Sequence, residues 1–182
     1  MASLPHSNRV TYEEWLQMPE VDDAIEEVID GEIILMPPNK AVHALVADFI
    51  TDELKRQLDR SQYLILTTNF GLIISERPLT CRVPDIAVLD RALPKDGYFR
   101  SAHLAVEVLS PSETRRMTDR KLQDYATIAT PEVWVIHPND RAVEVFLLQH
   151  GALERSAILH AGILKPRAFP HVEIDIAQIW PD

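Results

Sequence analysis

Residues 104–138 decide the expected fold, and they read "LAVEVLSPSETRRMTDRKLQDYATIATPEVWVIHP". The apolar start predicts a strand, the charged middle predicts a helix with apolar residues at helical spacing, and "EVWVIHP" predicts a second strand. A strand–helix–strand crossover joins two parallel strands, whereas residues 141–159 predict an antiparallel hairpin around Gly151. We therefore expect an α/β fold with a mixed central β-sheet flanked by helices.

Several other segments predict secondary structure. An Asp-Gly pair at 30–31 lies between two apolar segments and predicts a further hairpin. Thr11 is expected to cap a short helix, because a threonine before "YEEWLQM" can accept a hydrogen bond from the first helical turn. The remaining predicted elements are a helix over 43–60, strands over 63–75 and 81–90, and a strand or short helix over 172–180.

Length and composition suit one globular domain. The chain has 182 residues, of which 46% are hydrophobic and 25% are charged. Because we find no repeat or linker, we expect a flexible tail over 1–10 and a single domain over 11–182. The 18 basic and 28 acidic residues give a net charge of -10, which disfavours non-specific binding to nucleic acid but permits a local basic site.

The sequence also predicts the compartment. Cys81 is the only cysteine, which fits the reducing cytoplasm. The N-terminus has no signal-like apolar stretch, and no apolar segment approaches the ~20 residues needed to cross a membrane. Phosphate-binding glycine loops and dinucleotide fingerprints are absent from the sequence. We therefore expect a cytoplasmic protein with no membrane partner.

Two predicted apolar strands each carry one carboxylate. Glu107 stands within "LAVEVLS", and Asp85 directly precedes the apolar segment 86–89. A carboxylate is rarely buried without a partner, and two neighbouring carboxylates raise a pKa or require a cation between them. If the strands are neighbours, the pair could therefore bind a hard divalent ion such as Mg²⁺.

The helix after Glu107 carries basic groups that could complete such a site. Lys121 and Tyr125 are four residues apart and share a helix face. Lysine beside carboxylates balances their charge and can orient or activate a water molecule. The nearby arginines that could contact phosphate, or form an ordinary basic surface, are Arg115, Arg116 and Arg120.

Five segments, "VIDGEIILMPP", "VPDIAVL", "LAVEVLSPS", "KLQDYA" and "PEVWVIHP", together resemble the Uma-type restriction endonuclease family of the PD-(D/E)XK nuclease superfamily. The resemblance runs in order from about Tyr12 to the C-terminus. It implies a restriction-endonuclease-like fold and hydrolysis of phosphodiester bonds in nucleic acid, with DNA as the expected substrate and Mg²⁺ or Mn²⁺ as cofactor.

The same resemblance implies roles for individual residues. Asp85 and Glu107 match the acidic metal ligands of the superfamily, and Lys121 matches its catalytic lysine, moved from strand to helix. Glu27 matches an upstream glutamate that would bind metal directly or through water. His43 matches a common histidine at the start of a helix, and Tyr125 is a further accessory candidate.

Other interpretations of these residues stay open. Glu107 could form a structural ion pair with Arg82 or Lys121. Asp85 could be a strand-start residue, Lys121 could be solvated, His43 could simply begin a helix and Tyr125 could belong to the core. Which of the adjacent Glu26 and Glu27 faces the site depends on strand register.

Three positions depart from the patterns of the resemblance. Leu109 stands where the simplest superfamily pattern has its lysine, Met117 where family members often have aspartate, and His137 where the family usually has aspartate. The alternative is therefore a weak or inactive nuclease-fold protein that binds nucleic acid or a protein partner. A third hypothesis is a metal-dependent hydrolase of another phosphate ester.

A homodimer is compatible with the enzyme, since cutting both strands of a duplex needs two sites or two events.

Overall fold

The computed structural model describes residues 9–19, 25–36, 38–67 and 70–181. The described helices are α1 (Tyr12–Trp15), α2 (Ala41–Gln57), α3 (Arg115–Thr127) and a short 3-10 helix (Ile176–Gln178). The described strands are β1 (Ile25–Ile29), β2 (Glu32–Met36), β3 (Tyr63–Thr67), β4 (Leu72–Glu76), β5 (Leu79–Arg82), β6 (Ile86–Asp90), β7 (Leu104–Val108), β8 (Glu132–His137), β9 (Ala142–Gln149), β10 (Ala152–Leu159), β11 (Ile163–Leu164) and β12 (Ile174–Asp175).

A mixed sheet forms the centre of the described structure. Its strand order is β10-β9-β8-β7-β6-β3, and β7 and β8 are parallel, with Ala105 opposite Val133. All other neighbouring pairs in this sheet are antiparallel, including the predicted hairpin β9–β10. The crossover through α3 and the mixed sheet are thus confirmed. Within the described residues, no helix has the length and apolar character needed to span a lipid bilayer.

The two helices α2 and α3 contribute to different parts of the core. Val46 and Ile50 of α2 belong to the apolar cluster that contains Val106 of β7, whereas Tyr125 of α3 belongs to the cluster that contains Ala105. Side chains alternate between the faces of a strand, so Glu107 shares the face of Ala105. The Glu107 side chain therefore lies on the face of the sheet that packs against α3.

A second, smaller sheet has the strand order β2-β1-β5-β4. The single strand expected over 81–90 is wrong, because this segment is divided between the two sheets. Arg82 ends β5 in the small sheet, and Ile86 begins β6 in the large sheet. Pro84 lies between them and has no backbone N–H to donate to a strand ladder. The break places Asp85 directly before β6.

The β1–β2 hairpin turns at Asp30 and Gly31, both of which have positive φ, as the Asp-Gly pair predicts. Arg9 and Val10 pass so close that a Cβ at Gly31 would lie 2.6 Å from the Arg9 Cβ. Val10 donates to the Gly31 carbonyl and accepts from the Leu79 N–H, both at 3.0 Å. Residues 1–8 of the expected tail lie outside the described residues.

Candidate active site

Glu107 is buried between β7 and α3, where two side chains bind its carboxylate. It is 2% exposed. Lys121 Nζ donates to Glu107 Oε2 at 2.6 Å, and the Tyr125 hydroxyl donates to Glu107 Oε1. The two donors are four residues apart on α3 and lie on one helix face. Of the two ion pairs considered for Glu107, the structure contains the one with Lys121.

Lys121 has a second carboxylate partner in Glu113. The Nζ–Oε1 distance is 3.1 Å, and Glu113 Oε2 accepts the Ser110 N–H at 2.8 Å. Although Glu113 precedes the helix, its side chain is only 8% exposed. Glu113 was not among the predicted site residues. The available signal was its place directly before Thr114, which caps α3 by accepting from the Met117 N–H.

Asp85 lies beside Glu107 at the ends of two paired strands. Ile86 is opposite Val106 in the antiparallel register, so the preceding and following residues are neighbours. Asp85 Oδ2 accepts the Val108 N–H at 2.7 Å, and Asp85 Oδ1 lies 3.2 Å from His43 Nε2. The predicted proximity of the two carboxylates follows from this register.

His43 is a buried side chain in the first turn of α2. Burial lowers its pKa, but the contact with Asp85 outweighs burial and raises the pKa above its usual value. Its second ring nitrogen, Nδ1, is buried and has no hydrogen-bond partner among the described residues. Among the described acidic residues of the predicted site, Asp85 is therefore the one that His43 contacts.

Glu27 faces the interior of the protein, but its carboxylate binds an arginine. Glu27 Oε2 accepts from Arg82 at 2.9 Å, and its Oε1 accepts the Val83 N–H at 3.1 Å. Glu26 points the other way and accepts from the Trp15 indole N–H at 2.6 Å. The register thus selects Glu27 of the two adjacent glutamates. Its role as a metal ligand stays a prediction.

Arg82 joins β5 to β1 and α3. Besides Glu27, it contacts Asp124 through Nε at 2.8 Å and through Nη2 at 2.7 Å. The arginine and both carboxylates are buried. Arg82 was predicted only as a possible partner of Glu107, and Asp124 was not among the predicted site residues. A charged residue at the end of an apolar strand, and an acid next to Tyr125, were the available signals.

Burial and neighbouring charges shift the ionisation of the Glu107 cluster. Burial raises the pKa of Glu107 to about 7; the Lys121 charge opposes this shift, and Asp85 and Glu27 add to it. Burial acts to lower the pKa of Lys121, but Glu107, Glu113 and Glu27 outweigh it and hold that pKa above its usual value. Lys121 is therefore a cation at neutral pH.

The three arginines of α3 differ in their availability. Arg115 Nε donates to Asp119 at 2.9 Å, and Arg120 donates to both oxygens of Asp30 at 3.0 Å. Arg116 is exposed and makes no side-chain hydrogen bond or ion pair within the ranges that the structure covers. Of the three arginines predicted to contact phosphate, Arg116 is thus the one left unpaired within the described residues.

A cleft of about 460 Å³ opens between the β1–β2 hairpin and α3. Glu27 and Lys121 line it together with Arg82, Arg116 and Arg120. Lys121 thus belongs both to the Glu107 cluster and to the cleft wall. Met117, which replaces the aspartate often found in the family, also lines the cleft. Two of the three arginines predicted to contact substrate, Arg116 and Arg120, therefore line the same opening as the predicted catalytic lysine, whereas Arg115 does not.

The acidic residues suit an oxygen-binding cation only in part. Within the described parts of the chain, no group of three or more His, Cys, Asp or Glu side chains is arranged to hold a metal ion. Asp85 and Glu107 are nonetheless hard oxygen donors side by side, and Asp85 contributes to the raised pKa of Glu107. A cation between these two carboxylates would relieve their repulsion. Arg82 already neutralises Glu27.

The large mixed sheet with helices packed against it makes this an α/β protein, and its carboxylate pair lies beside a buried lysine. The family model Uma2, described as "Putative restriction endonuclease", matches residues 12–177. The chain belongs to this family, which confirms the resemblance found in the sequence.

A solved structure has the same overall architecture. It is the crystal structure of a protein from Anabaena variabilis described as "a putative nuclease belonging to DUF820". The TM-score is 0.76 at 18% sequence identity, and the match covers 94% of this chain and 97% of the other. This similarity confirms the predicted fold class. No curated protein matches the sequence.

Proposed function

We propose that the chain is a metal-dependent endonuclease that hydrolyses phosphodiester bonds of nucleic acid, with DNA as the substrate. The observation that carries the proposal is the Lys121 ammonium 2.6 Å from Glu107, whose strand neighbour is Asp85. Membership of a family described as nucleases supports the same reaction class. The proposed cellular compartment is the cytoplasm, because a single cysteine suits a reducing compartment.

In the proposed site, Asp85 and Glu107 would hold Mg²⁺ or Mn²⁺, and Glu27 would bind the metal directly or through water. When bound, the metal supplies a Lewis acid for the phosphate and lowers the pKa of a water molecule. Lys121 places a positive charge near the scissile phosphate and stabilises the negative charge of the transition state. Because neighbouring carboxylates hold the pKa of Lys121 high, this charge is present at neutral pH.

The remaining site residues orient these groups. Tyr125 donates to one oxygen of Glu107 and so fixes the carboxylate plane. His43 contacts Asp85 and positions it at the start of β6. Arg116, whose guanidinium is unpaired among the described residues, binds substrate phosphate, because arginine matches phosphate oxygens in a bidentate geometry. Arg115 and Arg120 contribute positive potential while paired with acids of the protein.

Cleavage of plasmid DNA and of a single-stranded circular DNA with Mn²⁺ tests the proposal, and cleavage of either substrate supports it. We expect wild type to cleave, and Asp85→Asn and Lys121→Ala to lose at least about 100-fold in rate, because each removes a group acting on the transition state. Lys165→Ala is a matched control, since this exposed lysine forms an ion pair with Glu173 elsewhere on the surface. No cleavage of DNA or RNA by wild type would refute the enzyme, and equal cleavage by all variants would indicate a contaminating nuclease.

A non-cleaving binding protein is the second candidate function. It is favoured by the occupied carboxylate oxygens of Glu107 and Glu27, which already bind side chains of the protein. Oligonucleotide binding without cleavage in Mg²⁺ or Mn²⁺ would support this candidate.

For duplex cleavage we propose a homodimer, because cutting both strands needs two sites or two events. Sedimentation at micromolar concentration would detect the dimer.

A further inference from the structure

The cleft beside Lys121 has a mostly apolar wall on the hairpin, where Glu27 is the charged residue, and a mixed wall on α3. Ile29, Ile34 and Met36 of the hairpin line it, and Met117 of α3 lines it as well. Its volume of about 460 Å³ lies within the ~300–1,000 Å³ typical of sites for small ligands. The cleft is therefore large enough for one nucleotide-sized group and too small for a base-paired duplex.

The apolar lining is in contact with water. Ile34 is 38% exposed and Met117 is 44% exposed, and both line the same opening. Single exposed apolar side chains are ordinary, but apolar residues grouped in one concave surface with polar neighbours are typical of binding sites. Methionine is flexible and polarisable, which suits contact with flat rings.

Two unpaired polar side chains line the same opening. Arg116 and Gln123 both border the cleft, and neither side chain makes a hydrogen bond or ion pair within the described ranges of the chain. A guanidinium binds phosphate, and an amide offers both donors and an acceptor to a base edge. Asp119 also lines the cleft, but Arg115 neutralises it.

We propose that this cleft binds one unpaired nucleobase of a single-stranded nucleic acid, with the base against Ile34 and Met117 and the phosphate at Arg116. The inference rests on the proposed function and narrows its substrate class. A base inside a duplex is stacked and paired and cannot enter such a cleft, whereas unpaired bases bind apolar surfaces and polar edges together. A net charge of -10 also disfavours long contacts with duplex phosphates.

Lys121 explains why the cleft would serve the reaction. It lines the cleft and also donates to Glu107, so a nucleotide held there brings its phosphate to the proposed catalytic cluster. Cleavage would then require the base next to the scissile phosphate to enter the cleft. The position of the cleft beside the catalytic cluster therefore predicts a preference for unpaired substrates.

Adjacent residues of β2 provide a matched pair of variants. Ile34 lines the cleft, whereas Leu35 points to the other strand face, is 56% exposed and does not line it. The test is the binding of a labelled single-stranded oligothymidine, measured by fluorescence anisotropy in EDTA, where metal-dependent cleavage does not occur. Ile34→Gln is expected to weaken binding about 10-fold, and Leu35→Gln to change it less than about 2-fold.

An oligonucleotide with abasic residues keeps the phosphates and removes the bases. We expect wild type to bind it about 10-fold more weakly than the intact strand, and Ile34→Gln to bind the two strands equally. Equal effects of Ile34→Gln and Leu35→Gln, equal affinity of wild type for intact and abasic strands, or no binding by wild type would each overturn the inference. Circular dichroism checks that both variants fold.

The binding assay tests the base cleft and the cleavage assay tests the nuclease, so either proposal can be rejected without the other. Cleavage of plasmid or single-stranded DNA, together with oligonucleotide binding that is insensitive to Ile34→Gln, rejects the base cleft and leaves the nuclease proposal standing. Binding that depends on Ile34 and on the bases, without cleavage of any substrate, rejects the nuclease and retains the cleft.

Discussion

Lys121 Nζ lies 2.6 Å from Glu107 Oε2, across the interface between α3 and the large sheet. The two residues are 14 positions apart, and the crossover between the parallel strands β7 and β8 brings them together. Breaking one side of a buried ion pair leaves an unpaired charge, which costs more than removing both partners. The pair is therefore a test of both stability and activity.

Lys121→Met is expected to lower the free energy of unfolding by about 3 kcal/mol, because Glu107 loses the cation beside it. The double variant Lys121→Met/Glu107→Gln removes both charges and should recover most of this loss. Neither protein should cleave. Urea unfolding measures the stabilities, and a single variant as stable as wild type would contradict the prediction.

Glu113→Gln is expected to slow cleavage about 10-fold with less than about 1 kcal/mol of lost stability, because Lys121 keeps Glu107 but loses its second carboxylate. The matched control is Glu173→Gln, since Glu173 also accepts from a lysine, Lys165, but on the exposed surface. Steady-state cleavage rates compare the two. Similar rates for both variants would show that Glu113 does not position Lys121.

The ionisation of Glu107 should make stability depend on pH in metal-free buffer. Burial raises its pKa from 4.5 to about 7 in the folded protein, so the folded state binds more protons between these values. The stability that Glu107 contributes is complete below about pH 4.5 and is lost as the pH rises through about 7. As the pH rises over this range, the free energy of unfolding of wild type should therefore fall relative to that of Glu107→Gln. A constant difference would refute the shift.

Arg82→Met should be strongly destabilising, by about 3–5 kcal/mol, since it leaves the buried Glu27 and Asp124 without their cation. Arg100→Met is the matched control, because Arg100 also contacts two carboxylates, Glu76 and Asp96, but in solvent. Exposed ion pairs contribute about 0–1 kcal/mol. Chemical denaturation of both variants should separate them, and equal losses would exclude a special role for the buried network.

Arg116→Ala should weaken oligonucleotide binding and reduce its dependence on salt by about one counterion, because Arg116 lines the cleft and is unpaired within the described ranges. Arg115→Ala serves as the comparison, since Arg115 is one residue away and already paired with Asp119. Titrations at several salt concentrations provide the slopes. Identical slopes for the two variants would show that Arg116 does not contact phosphate.

Local sequence determined the elements and their order. The alternation of apolar segments predicted β7, α3 and β8, the Asp-Gly pair predicted the β1–β2 turn, and the spacing of Lys121 and Tyr125 predicted a shared helix face. These features depend on residues within a few positions of one another. The resemblance to a nuclease family rests on the same local segments, and the matched family model confirms it.

Tertiary structure alone decided which charges meet. Arg82 binds Glu27, 55 positions away, because β5 pairs with β1, and it binds Asp124, 42 positions away, because α3 packs against the end of β5 where Arg82 lies. No local pattern encodes such a meeting, since it depends on how separate elements pack. The same holds for Glu113, which the turn after β7 brings to Lys121. The sequence by itself therefore determined the strands, the helix and the candidate residues, whereas packing decided their partners and hence which charges stay free for a substrate.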